Sequence, residues 1–148
     1  MKKSKLTIQI KRIGDDNTFT IPSYAHHGDA GFDLFAREDT HLPKGIPIQV
    51  PVGISLEIPT GYAGLIWDKS GLSHKYGLKT LGGVVDSGYR GEVLVGVINL
   101  GPKEVVIKKN EKIAQMLIQK VEKVVFSETK KNLSSTKRGK RDFGSTGK

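Results

Sequence analysis

The chain has 148 residues, of which 36% are hydrophobic and 26% charged, and it contains no cysteine. That length and balance fit one soluble domain with a real core; they exclude a disulfide framework, a thiolate metal site and a cysteine nucleophile. The formal charge of +9 is uneven: residues 1–101 hold 11 Lys and Arg against 10 Asp and Glu, and residues 102–148 hold 13 against 5. A basic rear segment fits a nucleic-acid arm, a phosphate clamp or a solvated end, and charge alone favours the last.

The first stretch, MKKSKLTIQIKRIG, is basic but lacks an apolar h-region, because charges recur at Lys11 and Arg12. Neither a signal peptide nor a membrane span is expected, and the location expected is cytoplasmic. Residues 6–13 alternate apolar and polar, the period of a half-buried strand. A loop with Pro22, His26, His27 and Gly28 leads to AGFDLFA at 30–36. Short Ile- and Val-rich segments follow at 46–52, 54–58, 62–67, 78–85, 93–100, 104–107 and 113–126. Pro43, Pro47, Pro51, Pro59 and Pro102 interrupt this region so often that a helix of about ten residues hardly fits. Residues 111–121 contain good helix formers, yet Ile113, Met116, Leu117, Ile118 and Val121 make no clean helical stripe, so a strand is expected. The fold class is therefore all-β, a sandwich or barrel.

The segment GGVVDSGYRGEV, residues 82–93, reads as a β-hairpin with a carboxylate, Asp86, near its bend and a ring, Tyr89, beside it. After residue 126 the composition changes. SETKKNLSSTKRGKRDFGSTGK has one Leu and one Phe in 22 residues and cannot bury enough apolar surface to fold alone. The expected division is a barrel domain at 1–126 and a flexible tail at 127–148. Phe143, among Gly, Ser and Thr, suggests a tail that orders on a ligand.

Three further constellations carry chemistry. Asp33 lies in an apolar setting after Gly31, and is either a turn acid or a carboxylate that positions a cation or water beside a ligand. Residues 67–78, WDKSGLSHKYGL, read as a polar loop in which the Lys69 ammonium, the Ser70 hydroxyl and backbone N–H groups can cradle phosphate oxygens. Gln115, in KIAQ, is an amide in an apolar strand, satisfied by neighbouring backbone or aimed at a ligand. His26, His27, His41 and His74 lack metal-ligand spacing, and Ser70 has no triad partners at a hydrolase elbow. The glycine clusters lack the strand–helix setting of a dinucleotide fingerprint.

In order, these pieces resemble the trimeric deoxyuridine triphosphatase (dUTPase) family and its five motifs. They are AGFDLFA at 30–36, DKSGL at 68–72, GGVVDSGYRGEV at 82–93, KIAQ at 112–115 and RGKRDFGSTG at 138–147. The resemblance implies a jelly-roll-like β-barrel of the β-clip type, a homotrimer with active sites at subunit interfaces, and hydrolysis of dUTP to dUMP and diphosphate. It implies that Asp86 activates the attacking water, with Asp33 as a second catalytic carboxylate. It places backbone around Gly83 and Val85 on the uracil edge and Tyr89 under the deoxyribose. Lys69, Ser70, Gly71 and Gln115 would hold phosphates, with Arg138, Phe143, Gly144, Ser145 and Thr146 closing from the tail. Mg²⁺ is the implied cofactor, held by substrate phosphates and water with no protein ligand. Neither a membrane nor nucleic acid is an expected partner.

The chain departs from the family pattern at Lys69 (usually Arg), at Glu111-Lys112 (usually Asp-Arg), at Gly88 (usually an acid) and at Arg141-Asp142 (usually glycines). Two alternatives compete. A dCTP deaminase-like enzyme of the same superfamily would use a hairpin glutamate, here Glu92, as a proton shuttle. A non-catalytic basic nucleic-acid-binding module would rest on the rear charge and predicts steeply salt-dependent binding.

Overall fold

A computed structural model describes residues 6–140; the tail positions Phe143, Gly144, Ser145 and Thr146 lie outside them. The described residues form eleven strands and one helix: β1 (Gln9–Arg12), β2 (Phe32–Phe35), β3 (Thr40–Leu42), β4 (Ile48–Pro51), β5 (Ile54–Glu57), β6 (Tyr62–Trp67), α1 (Ser70–Tyr76), β7 (Leu78–Leu81), β8 (Val84–Asp86), β9 (Leu94–Asn99), β10 (Val105–Ile107) and β11 (Lys112–Lys120). They assemble as β2-β11-β6-β8, β4-β9-β7 and the pairs β1-β5 and β3-β10, with every ladder antiparallel. The protein is an all-β, jelly-roll-like barrel. Among the described residues no helix is long and apolar enough to cross a membrane.

Strand alternation decides what lies inside. Leu34 on β2, Ile66 on β6, Val85 on β8 and Met116 on β11 are buried, and so are Val50 on β4 and Val95 and Val97 on β9. The two larger sheets thus close on one Val/Ile/Leu core, the outcome expected of period-two patterning with one buried face. Three polar residues, Asp33, Ser55 and Asn99, are buried as well, and the Asn99 amide is fully used. Its Nδ2 donates to Leu42 O and Lys103 O, and its Oδ1 accepts from Gly101 N–H.

Four expectations are corrected. Residues 70–76 are helix α1 rather than loop. The turn persists because Gly77, at φ 71°, takes the left-handed cap and donates to Leu72 O and Ser73 O. Residues 78–85 are two strands in two sheets, because the chain breaks at Gly82 and Gly83, both at positive φ. The last strand ends at Lys120, and residues 121–140 contain no helix or strand. Finally, 82–93 does not close as a ladder: β8 pairs with β6, whereas β9 pairs with β4 and β7. The true hairpin is β7–β9, and its arms part beyond Leu81 and Gly96.

Candidate active site

The register of one sheet assembles the first half of the site. Asp33 on β2 lies opposite Gln115 on β11, and Gln115 lies opposite Trp67 on β6. Since paired residues share a face, the turn that follows Trp67 brings Asp68 and Lys69 over Asp33. The carboxyl group of Asp33 is only 4% exposed, with Lys69 Nζ 2.5 Å from Oδ1 and Lys112 Nζ 2.7 Å from Oδ2. The Lys69 contact is a hydrogen bond. The Lys112 contact is an ion pair outside hydrogen-bonding geometry, which leaves Oδ2 without a directed donor. Burial by itself would raise the pKa of Asp33, but the two ammonium groups outweigh it and hold the carboxyl below its ordinary range.

Gln115 is committed at one end, its Nε2 donating to Asp68 O at 2.9 Å. The Asp68 carboxylate in turn accepts from Lys79 Nζ, Thr80 N–H and the Thr80 hydroxyl, each at 2.7 Å. Burial acts to raise the Asp68 pKa, and these donors bring it below the ordinary value. Trp67-to-Ser70 is thus tied to β11 on one side and β7 on the other. Ser70 and Gly71 open α1, where their N–H groups have no intrahelical acceptor. Asp33, Asp68, Lys69, Lys112 and Gln115 line a cleft of about 580 Å³. Asp29 and His26 line it too, and the two ammonium groups over Asp33 are the cations that it offers an anion.

The second half lies elsewhere. Asp86 is opposite Ala63, which is opposite Gln119 on β11. Asp86 is therefore three strands across and four residues along from Asp33, roughly 20 Å away within one chain. None of Gly83, Val85, Asp86 and Tyr89 lines the Asp33 cleft. They lie along β8 and the turn that follows it, before β9. Gly83 sits at φ 108°, and a Cβ there would lie 2.8 Å from Ile66 O. Its carbonyl accepts Ile66 N–H at 2.7 Å, which pins β8 to β6. Val85 packs into the core, while Asp86 is exposed. The Tyr89 ring is 45% exposed and held at its tip, the hydroxyl donating to Glu92 O at 2.8 Å. Tyr89 N–H closes the turn on Asp86 O. Arg138 is exposed in the strand-free segment after β11.

Two site features carried no signal that sequence reasoning used. Lys112 and Asp68 both stand inside motifs, and the residue order gives neither a role. Both owe their positions to contacts across the sheet and across the β6–α1 turn.

The sequence model of the dUTPase family matches residues 17–147. The chain belongs to the dUTPase family. It is similar to the deoxyuridine 5'-triphosphate nucleotidohydrolase of Thermobifida fusca, 42% identical over 143 residues, 95% of this chain and 78% of that protein. It is also similar to the enzyme of that description from Mycobacterium tuberculosis, 40% identical over 148 residues, 95% of each. Among solved structures, the Staphylococcus bacteriophage 80alpha dUTPase with dUPNHPP superposes with a TM-score of 0.84 at 25% identity, covering 97% of this chain and 99% of that one. A mutant dUTPase from phage phi11 of S. aureus, described with a structural Mg(II) ion, has a TM-score of 0.76 at 22% identity, covering 85% of this chain and 98% of that one.

Glu92, the hairpin glutamate of the deaminase alternative, is tied to the barrel. Its Oε1 accepts from Arg37 Nη1 at 3.0 Å and from Gly53 N–H at 2.9 Å, a structural commitment that holds the β4–β5 turn. The family match and the named relatives do not favour the deaminase alternative.

Proposed function

We propose that the protein hydrolyses dUTP to dUMP and diphosphate, limiting uracil incorporation into DNA and supplying dUMP for thymidylate synthesis. The observation that carries the reading is the arrangement of one sheet: a cleft at β2-β11-β6 in which two ammonium groups cover Asp33, and a carboxylate with a flat ring at the β8 edge. Because these halves are roughly 20 Å apart in one chain, a working site joins the cleft of one subunit to the β8 edge of another. That supports a homotrimer with interfacial sites.

In this mechanism the uracil lies beside Gly83 and Val85, where backbone donors and acceptors reject the cytosine pattern. Tyr89 packs against the deoxyribose and excludes a 2′-hydroxyl. Asp86 takes a proton from water; the oxygen attacks the α-phosphorus, the bond to the bridging α–β oxygen breaks, and diphosphate leaves. Lys69, Ser70, Gly71 and Gln115 hold the phosphates, and the tail at 127–148 closes over them with Arg138, Phe143, Gly144, Ser145 and Thr146 beyond the barrel domain at 1–126. Asp33, buried under two lysines, acts by placing them.

The donor set suits a metal that arrives with the substrate. The buried carboxylate of the cleft, Asp33, is already engaged by the ammonium groups of Lys69 and Lys112. Mg²⁺ bound by triphosphate oxygens and water would neutralise charge as the α–β bond breaks. A cytoplasmic setting fits a cysteine-free chain. The test is release of diphosphate from dUTP, dCTP, dTTP and UTP with Mg²⁺ present. Release from dUTP alone is expected; ammonia release from dCTP instead would overturn the reading.

A further inference from the structure

Around Asp33 there is one carboxylate and there are two ammonium groups, so the cluster has a surplus positive charge. The two lysines are not equivalent. Lys69 is 27% exposed and makes a directed hydrogen bond to Oδ1, while Lys112 is 46% exposed and makes only an ion pair to Oδ2. Withdrawing Lys69 would leave a buried carboxylate without its one directed donor, a costly loss. Withdrawing Lys112 leaves the Asp33–Lys69 pair neutral and intact. Lys112 also stands at the start of β11, beside an irregularity in its pairing with β2 between Lys112 and Ala114, and its side chain lines the cleft.

Lysine chemistry sharpens the contrast. An ammonium is a compact point charge, whereas a guanidinium has a planar fork with five donors that can engage a carboxylate and a phosphate together. Lys69 spends one of its three donors on Asp33 Oδ1 and offers a phosphate only those that remain, without the fixed fork of an arginine. Resting on the reading of this cleft as the triphosphate site, we propose that Lys112 is a further substrate-binding residue: it swings from Asp33 to the triphosphate and adds to the phosphate grip of Lys69, which keeps its bond to Asp33.

The test compares wild type, Lys112→Met, Lys69→Arg and the double variant. It measures binding of α,β-imido-dUTP and of phosphate-free deoxyuridine, with thermal melting to verify folding. Lys112→Met is expected to weaken imido-dUTP binding about tenfold or more, the loss expected for one charge-assisted contact, and to leave deoxyuridine binding within about twofold. Adding Lys69→Arg should recover most of that loss, a rescue that a merely structural role for Lys112 would not produce. Undiminished imido-dUTP binding by Lys112→Met, or equal weakening for both ligands, would overturn the assignment. Should that variant fail to fold, acetylation footprinting of the wild type decides: Lys112 is protected by imido-dUTP if the proposal holds and unprotected if it does not. A wild type that neither binds imido-dUTP nor releases diphosphate from dUTP would refute the underlying function instead.

Discussion

Asp33 and Asp86 are both acids in glycine-containing motifs, yet their surroundings give them opposite work. Asp33 is buried beneath two ammonium groups; Asp86 is exposed at the end of an edge strand. Because its folded-state pKa is depressed, Asp33 stabilises the fold above the unfolded carboxylate value of about 4. That contribution is lost as pH falls through the folded value. Asp33→Asn is thus expected to melt below wild type at neutral pH and to converge with it in acid, a pattern that melting curves across the acid range would reveal. Asp86→Asn should retain dUTP binding and lose turnover by several orders of magnitude in a diphosphate-release assay; a near-normal rate would remove Asp86 from the mechanism. Tyr89→Ala should begin to accept UTP, and continued rejection would mean that another group reads the sugar.

In the proposed function, base selection falls to the parted hairpin. Gly82 and Gly83, at φ 69° and 108°, let the chain leave β7 and cross to the other sheet, which no L side chain does without strain. Gly83→Ala adds both that strain and a Cβ 2.8 Å from Ile66 O. We expect a loss of about 1–3 kcal/mol in stability, together with weaker dUTP binding as β8 shifts away from β6, read by melting and calorimetry. Most strands were legible because their alternation is local: 62–67 and 54–58 match β6 and β5 within a residue. Helix α1 was not, since SGLSHKY is short, polar and without a strong helix signal. The Gly77 cap and the anchoring of the preceding turn by Asp68 make it a helix.

Across the whole molecule, the arrangement predicts catalytic incompleteness in one chain. Mixed assemblies of Asp86→Asn and Gln115→Ala subunits should recover a fraction of activity that neither variant has alone, because some sites would draw an intact Asp86 and an intact Gln115 from different copies. No recovery after co-refolding would argue against interfacial sites. Removing residues 131–148 should leave a folded trimer by light scattering with severely reduced turnover; unchanged activity would refute closure by the tail.

The chemistry of this protein is local, and much of it could be read from residue order alone. Alternation marked the strands, Pro and Gly ruled out long helices, and five short motifs carried the likeness to dUTPases. Distances were not readable, because they depend on strand order and register. Only the β2-β11-β6 pairing puts Asp33, Gln115, Lys69 and Lys112 around one cleft, and only the crossing of β8 to β6 keeps Asp86 roughly 20 Å from Asp33. Contacts between residues far apart in the chain follow from which edges pair and which faces close on the core. Those are properties of the folded sheet, and no single segment contains them.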